Sequence, residues 1–481
     1  MANVLFVNPN KWGRGITTIW IATHSAILKK NLHNVELFDC TFYENWTNNE
    51  TKFNTKNNQY QKTEYLDLIE YNQNDIRIDL EKKIIDFKPD IIFWSALSSH
   101  IHGEGEYVNI EYGYDLIKDI NTNALLITGG IQATATPENI FKTYPKIKYL
   151  ISGESEFVLS EIAKNYKSEE DIKKIDGVSY LDENKKLKKN KPQKIISNLD
   201  DIPFYDYGIF EDNTFLRPFN GKVVRAIDYE LSRGCIYTCS YCVETVIQEY
   251  YGFQEKSSKG ALLNNKNYTR SKSAMRIYRE LSEYKKKYNI DLVRCQDTNF
   301  LTINQKVLKE LAEMCDNKRL DLKLYIETRP EGINEKSIKI LKSLGVVGVG
   351  MGIELAGEDF REANLNRFSN QERIIKAFKL LRENGILRTT YNIIGLPDQD
   401  EKSVINTIDF NRLLDPDNVT VAFYSPYYGT NEQKKSRKIN MFKDYEQNVD
   451  GQLRSLSNSS QIPLEKLNYY KENFKSLVFG K

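Results

Sequence analysis

The chain has 481 residues, 40% hydrophobic and 12% aromatic, enough for two or three globular domains with real cores. Sixty-eight basic side chains against 66 acidic ones leave a net charge of +2, which argues against a nucleic-acid footprint or an acidic tail. No stretch approaches the ~18 uninterrupted apolar residues of a membrane span. The opening run Met1-Ala2-Asn3-Val4-Leu5-Phe6-Val7-Asn8-Pro9 reads as a strand entering a turn and not as a signal peptide, so a cytoplasmic protein in a reducing compartment is expected. A helix is predicted over about Thr17 to Lys30, a second strand over Val35 to Phe38, and a polar excursion from Glu44 to Asn74. The helix Ile76 to Phe87 follows, stopped by Pro89. Three more strands are predicted: Ile91 to Ser95, Ala124 to Thr128 and Lys148 to Ile151. Short buried strands alternating with helices predict an α/β fold with a doubly wound parallel sheet over residues 1–165, its ligand at the carboxyl ends of the strands. Two of those ends, Thr128-Gly129-Gly130-Ile131-Gln132 and Ser152-Gly153-Glu154, carry glycines that let the backbone approach a ligand, although Gly-Gly also makes ordinary turns.

Residues 166–222 are polar and charged. They hold one predicted hairpin, Gly177 to Leu181 followed by the run Lys185-Lys186-Leu187-Lys188-Lys189, and an extended linker around Asp201-Ile202-Pro203. Residues 223–430 form a second alternating series. Its strands are expected at Asp228 to Leu231, Asp291 to Cys295, Leu322 to Glu327, Val346 to Ile353, Thr389 to Ile394 and Val419 to Tyr424. Helices are expected near Ser273 to Tyr288, Gln305 to Cys315, Glu335 to Leu344, Glu372 to Asn384 and Ser403 to Leu413. Residues 243–270 make a long insertion that could serve as a lid or substrate loop. Residues 431–481 form a helical extension whose amphipathic stretch, Leu464 to Phe479, is expected to cover the open side of this series rather than bind a membrane.

The first strand of the second series runs into Ser232-Arg233-Gly234-Cys235-Ile236-Tyr237-Thr238-Cys239-Ser240-Tyr241-Cys242, which holds three of the six cysteines. Thiolates this close can share one inorganic centre, and with no fourth Cys or His nearby the centre keeps an open position. A structural zinc site would want four ligands, and three packed cysteines would have no reason for this spacing. Cys40, Cys295 and Cys315 read as packing residues.

Cys-x3-Cys-x2-Cys with Tyr241 before the last cysteine resembles the signature of the radical S-adenosylmethionine (SAM) enzymes. The resemblance implies a partial (β/α)6 TIM-type barrel over 223–430. It also implies a 4Fe-4S cluster held by Cys235, Cys239 and Cys242, with SAM chelated at the open iron and cleaved to a 5′-deoxyadenosyl radical. Asp297-Thr298-Asn299, Gly350-Met351-Gly352-Ile353-Glu354 and Asn392-Ile393-Ile394-Gly395-Leu396-Pro397 stand at strand ends as in relatives. The resemblance implies SAM contacts from Tyr241, Asp297, Asn299 and Glu354. Arg329 can serve a carboxylate or phosphate through its planar fork, or a structural ion pair. Ahead of it, the Rossmann-like residues 1–165 resemble the cobalamin-binding domain of many such enzymes, implying a nucleotide-tail pocket lined by Ser95, Gly129, Gly130, Gly153 and Glu154. The loop Asn8-Pro9-Asn10-Lys11-Trp12-Gly13-Arg14-Gly15 lacks the histidine of the family's Asp-x-His-x-x-Gly pattern, and His24, His33, His100 and His102 are not placed to replace it. Either cobalamin binds without a histidine lower ligand or the domain has lost the cofactor.

The resemblance implies a cobalamin-dependent methyltransferase acting on an unactivated centre of a small-molecule or natural-product-like substrate, with a flavodoxin or ferredoxin-type electron donor. A cobalamin-dependent ring contraction, cyclisation or oxidation is the alternative. A non-catalytic cluster or cobalamin sensor is a further one.

Overall fold

Runs such as Val4-Leu5-Phe6-Val7 and Ile91-Ile92-Phe93-Trp94 are apolar on both sides of the pleat, which suits only strands covered on both faces. In the computed structural model of the protein, which describes residues 1–47, 63–95, 106–318, 320–424, 427–438 and 460–480, both runs are buried strands. The chain divides into two compact units: the described residues up to Asp228 together with Val246–Gly252, and Tyr229–Thr245 together with the described residues from Phe253 onward.

The sheet of the first unit contains β1 (Asn3–Asn8), β2 (Asn34–Asp39), β3 (Ile91–Trp94), β4 (Leu125–Gly129), β5 (Tyr149–Ile151), β6 (Val178–Leu181) and β7 (Leu187–Lys189), in the order β2-β1-β3-β4-β5-β6-β7. The first five are parallel. This order reverses direction between β1 and β3, and the carboxyl ends of β1, β3, β4 and β5 share one edge of the sheet. The polar hairpin expected beyond residue 165 forms, but it is no separate linker element. Its first strand pairs antiparallel with β5, so the sheet and the unit continue past that boundary. Leu5, Val7, Ile92, Trp94 and Leu150 build the core with Leu80 and Ile84 of the helix Ile76–Phe87. Asp75 caps that helix by accepting from the amides of Arg77 and Ile78.

The second sheet contains β8 (Leu216–Phe219), β9 (Lys222–Tyr229), β12 (Leu292–Cys295), β13 (Lys323–Glu327), β14 (Val346–Glu354), β15 (Leu387–Ile394) and β16 (Asn418–Phe423), in the order β16-β15-β14-β13-β12-β9-β8. A small separate ladder joins β10 (Ser232–Arg233) to β11 (Arg270–Ser271). Strands β12 to β16 are parallel and in chain order, and each is followed by a helix, as a partial barrel requires. The strand expected at Asp228 to Leu231 starts earlier, at Lys222, because Asn220-Gly221 closes a two-residue hairpin with β8. Both turn residues have positive φ, 48° and 76°, the conformation that Asn-Gly adopts at least cost.

The helix Leu464–Phe479 packs Leu467, Tyr470, Phe474 and Val478 against Ile394, Val404, Val419 and Val421. It lies on β16 and the helix Glu401–Leu414, covering the last strand of the sheet, which would otherwise offer a pairing edge. Four such side chains contribute roughly 1.5–3 kcal/mol each before the entropy of ordering the segment.

Candidate active site

The cysteine loop leaves the sheet at the end of β9 and is clamped at its entry. Asp297 accepts from the amide of Leu231 at 3.2 Å and from the hydroxyl of Ser232, and the amide of Lys272 donates to the carbonyl of Leu231 at 2.9 Å. Lys272 and Glu280 are both fully buried and paired at 3.0 Å, and Glu280 also accepts from Tyr229, Arg276 and Tyr284. With four groups on two carboxylate oxygens, this buried charge is well satisfied. Gly234 then turns the chain at φ 88°; a Cβ there would lie 2.4 Å from the carbonyl of Tyr268, so the loop needs glycine at this position.

Beyond the turn, the Cys235 amide donates to Glu244 Oε1 at 2.8 Å, and Tyr268 donates to the same oxygen at 2.6 Å. Burial, then the charge of Glu244, push the Cys235 thiol up to about 12; burial, then the neighbouring Cys239 and Glu244, push Cys242 up as well. Three cysteine sulfurs on one clamped loop offer a cationic centre a thiolate donor set. Among the described residues, no three or more His, Cys, Asp or Glu side chains close on a single-ion position. Three thiolates from one loop fill three corners of a four-iron cluster, whereas a structural zinc site wants four ligands, so the donor set suits a cluster better than zinc.

A ring of charge surrounds the loop. Tyr241 donates to Glu354 Oε1 at 2.8 Å, and Arg367 lies 3.6 Å from that oxygen while donating to Tyr241 Oη at 3.3 Å and to the carbonyl of Gly352. Glu354 ends β14 at φ 62°, after a register shift between Gly352 and Glu354, and this break in the ladder aims its carboxylate toward Tyr241. Gly352 leaves room for that carboxylate: a Cβ would sit 2.3 Å from Glu354 Oε1. Asn299 accepts from Thr328 Oγ1 at 2.7 Å and from the Arg329 amide at 3.4 Å. Arg329 lies 3.8 Å over the Tyr237 ring and donates to Cys239 Sγ at 3.6 Å.

Tyr241 and Glu354 are thus in direct contact beside the cysteines. Asp297 and Asn299 hold backbone at the ends of β9 and β13, and the oxygens described above are taken by their own chain. Glu244, Glu331 and Arg367 were missed in the sequence. Only Glu244, two residues past Cys242, offered a signal. The insertion after Cys242 opens with the helix Glu244–Tyr250 and then returns to the cysteine loop, through the bridge Tyr237 to Ala261 and the Thr238 amide on the carbonyl of Gly260.

In the first unit, the carboxyl ends of β3, β4 and β5 bring Ser95, Gly129, Gly130 and Gly153 to one edge. Ser95, at φ 59°, accepts from the Gly129 amide at 2.9 Å, and a Cβ on Gly129 would lie 2.9 Å from the carbonyl of Ile151. Gly130 opens the helix Gly130–Ala135 at φ 93°. Gly153 has φ 68°, donates to Thr134 Oγ1 at 2.9 Å, and has Tyr251 Oη 2.5 Å from where a Cβ would be. Glu154 turns to its own chain, with Oε2 on the Ile196 amide at 2.9 Å and its amide on Tyr251 Oη at 2.8 Å.

No histidine of the described residues is offered to a ligand at this edge. His24 is fully buried, stacked on Phe93 and bonded to Ser155 at 2.9 Å, and His33 accepts from the Ala2 amide. His100 and His102 lie outside the described residues. In the loop after β1, Lys11 sits 4.2 Å from the Trp46 ring and 4.1 Å from the Tyr112 ring. Beside it, Asp39 accepts from Asn8, from the Thr41 amide and from the Thr41 hydroxyl on Oδ1, while Oδ2 is buried without a partner among the described residues. Burial, only partly offset by these hydrogen bonds, raises its carboxyl to about 6.

Residues 229–410 match the model of the radical SAM superfamily, and residues 62–163 match the B12 binding domain. The chain is a radical SAM protein with a B12-binding domain ahead of its radical SAM domain. It is 28% identical over 355 residues to an uncharacterized methyltransferase of Pyrococcus horikoshii, covering 73% of this chain and 70% of that one. It is 25% identical over 381 residues to the anaerobic magnesium-protoporphyrin IX monomethyl ester cyclase of Rubrivivax gelatinosus, covering 78% of this chain but only 63% of that longer one. Its fold is similar, at a TM-score of 0.66 and 17% identity, to the radical SAM methyltransferase TsrM of Kitasatospora setae, solved with cobalamin and a [4Fe-4S] cluster, over 91% of this chain and 78% of that one. Among the described residues no helix is long and apolar enough to cross a membrane.

Proposed function

We propose that this chain is a cobalamin-dependent radical SAM methyltransferase that acts on an unactivated centre of a small molecule. In this reading Cys235, Cys239 and Cys242 hold a 4Fe-4S cluster, and the observation that carries it is the gathering of these three cysteines on one clamped loop inside the radical SAM match. Bound there, the cluster and SAM supply a 5′-deoxyadenosyl radical, and cobalamin supplies a methyl carrier.

The chain's own residues bind and orient. Glu354 and Tyr241, with Arg367 behind them, present a fixed carboxylate and hydroxyl beside the cysteines for the polar groups of SAM. Asp297 and Lys272 keep the loop entry in register, and Asn299 aligns Arg329, so these act as positioning residues. Ser95, Gly129, Gly130 and Gly153 form a backbone edge without side-chain bulk for the cobalamin tail, and Glu154 stiffens that edge through Ile196 and Tyr251. The loop after β1 carries no histidine, so cobalamin would be held through this backbone edge and not by a histidine of that loop. An external flavodoxin or ferredoxin-type protein would deliver the electron, and the cytoplasm would be the compartment.

The similarity to the magnesium-protoporphyrin cyclase favours a second reading, a cobalamin-dependent reaction without methyl transfer. Anaerobic purification with iron and cobalamin analysis, followed by turnover with methyl-labelled SAM, separates the two. Label in the product is expected; 5′-deoxyadenosine with an unlabelled product would assign the second reading, and iron without cobalamin would remove both.

A further inference from the structure

One tightly held cation of the second unit, Arg329, reaches the cysteine loop itself. Arg329 is 7% exposed, and every edge of its guanidinium is engaged. The plane stacks on Tyr237 at 3.8 Å, Nη2 donates to Glu331 Oε1 at 2.8 Å and to the carbonyl of Phe368 at 3.2 Å, and Nε reaches Glu331 Oε2 at 3.3 Å. The remaining nitrogen, Nη1, is aimed at Cys239 Sγ, 3.6 Å away. Asn299 holds the backbone of the same residue. Burial works against the charge of Glu331, but the hydrogen bonds and charge of Arg329, with Arg367 beyond, hold its carboxyl down to about 2, so the pair stays ionised at working pH.

A neutral thiol is a weak acceptor, and a buried guanidinium is costly to desolvate; the contact is worth most when the sulfur carries charge, as a cluster ligand does. Adding an electron to a cluster makes it more negative, so a fixed cation at one ligand sulfur favours the reduced state, and hydrogen bonds to the sulfurs are an established lever on potential.

We propose that Arg329, through Cys239, raises the reduction potential of the cluster held by the cysteine loop, and that Glu331 is the counter-charge that limits the rise. This rests on the reading that Cys235, Cys239 and Cys242 hold a cluster. One electron passes from an external one-electron reductant, dithionite in the test, to the cluster; no bond is made or broken.

The test is an EPR-monitored redox titration of the full chain, reconstituted anaerobically with iron and sulfide and titrated without SAM, beside iron analysis of each variant. Arg329→Gln is expected to disfavour one-electron reduction at least tenfold, which is 59 mV for a one-electron couple. Glu331→Gln is expected to favour it, a shift of opposite sign that a merely structural perturbation would not give. Potentials unchanged within about threefold in both variants, or shifted in the same direction, would overturn the proposal. So would an unchanged potential in Arg329→Gln with SAM affinity lost, which would make Arg329 a SAM ligand instead. Where Arg329→Gln fails to retain iron, the rise in Glu331→Gln carries the proposal and its absence ends it. Failure of the underlying reading looks different: wild-type chain that takes up no cluster, or Cys239→Ala that keeps a full one.

Discussion

The two units shape their candidate sites by opposite means. At the strand ends of the first unit the work is done by missing atoms: Gly129 and Gly153 stand where a Cβ would press on the Ile151 carbonyl or on Tyr251, and Ser95 and Gly130 take positive φ to turn the chain. Around the cysteine loop of the second unit it is done by present charge, with Glu244, Arg329, Glu331, Glu354 and Arg367 all gathered on eleven residues of loop and its neighbours. A backbone edge suits a large ligand recognised by shape. A charged surround suits a small centre whose electron count changes, because electrostatic terms are strongest where water is excluded.

That contrast can be broken at several points. The largest effect is expected from Cys239→Ala, which should abolish SAM cleavage altogether, read as loss of 5′-deoxyadenosine from reduced, iron-loaded chain, while cobalamin retention in the first unit is unchanged. Next comes Gly352→Ala, whose new methyl displaces the Glu354 carboxylate; a misplacement of about 1 Å can cost on the order of a hundredfold, and this should appear in SAM affinity by equilibrium dialysis. Gly153→Ala is the matching change in the first unit. It strains the left-handed backbone and crowds Tyr251, and should lower cobalamin retention about tenfold without altering the iron content.

Two stability measurements sharpen the comparison further. Lys272→Met leaves the buried Glu280 with Arg276, Tyr229 and Tyr284 but without its fully buried lysine, and should destabilise the chain by about 3 kcal/mol in urea unfolding, the low end for breaking a buried pair. The smallest expected effect is at Asp39. Its carboxyl is raised from 3.8 to about 6 by burial, so through that window the folded chain keeps a proton that the unfolded chain has released, and stability falls as pH rises. Asp39→Asn should therefore be neutral near the lower end of the window and stabilising by up to about 2 kcal/mol above its upper end, seen as a flatter dependence of the unfolding midpoint on pH.

The alternation of apolar runs was enough to place most strands and the longer helices within a few residues, because a buried parallel strand has little freedom in composition and a helix stop such as Pro89 is local. Asn220-Gly221 also announces its hairpin, and with it the earlier start of β9. The three cysteines were equally legible, since their spacing is itself the chemistry. What the linear chain could not show is which charges surround them. Arg329, Glu331 and Arg367 stand roughly 90 to 125 residues beyond the loop and meet it only once parallel strands have brought their ends to one edge. The tertiary structure also turned Asp297 and Asn299 toward their own backbone and buried His24 against Phe93. Residue type and spacing determined which atoms could ligate; folding decided which of them are already satisfied by neighbours distant in sequence, because a buried polar group must find its partner wherever the packing brings one.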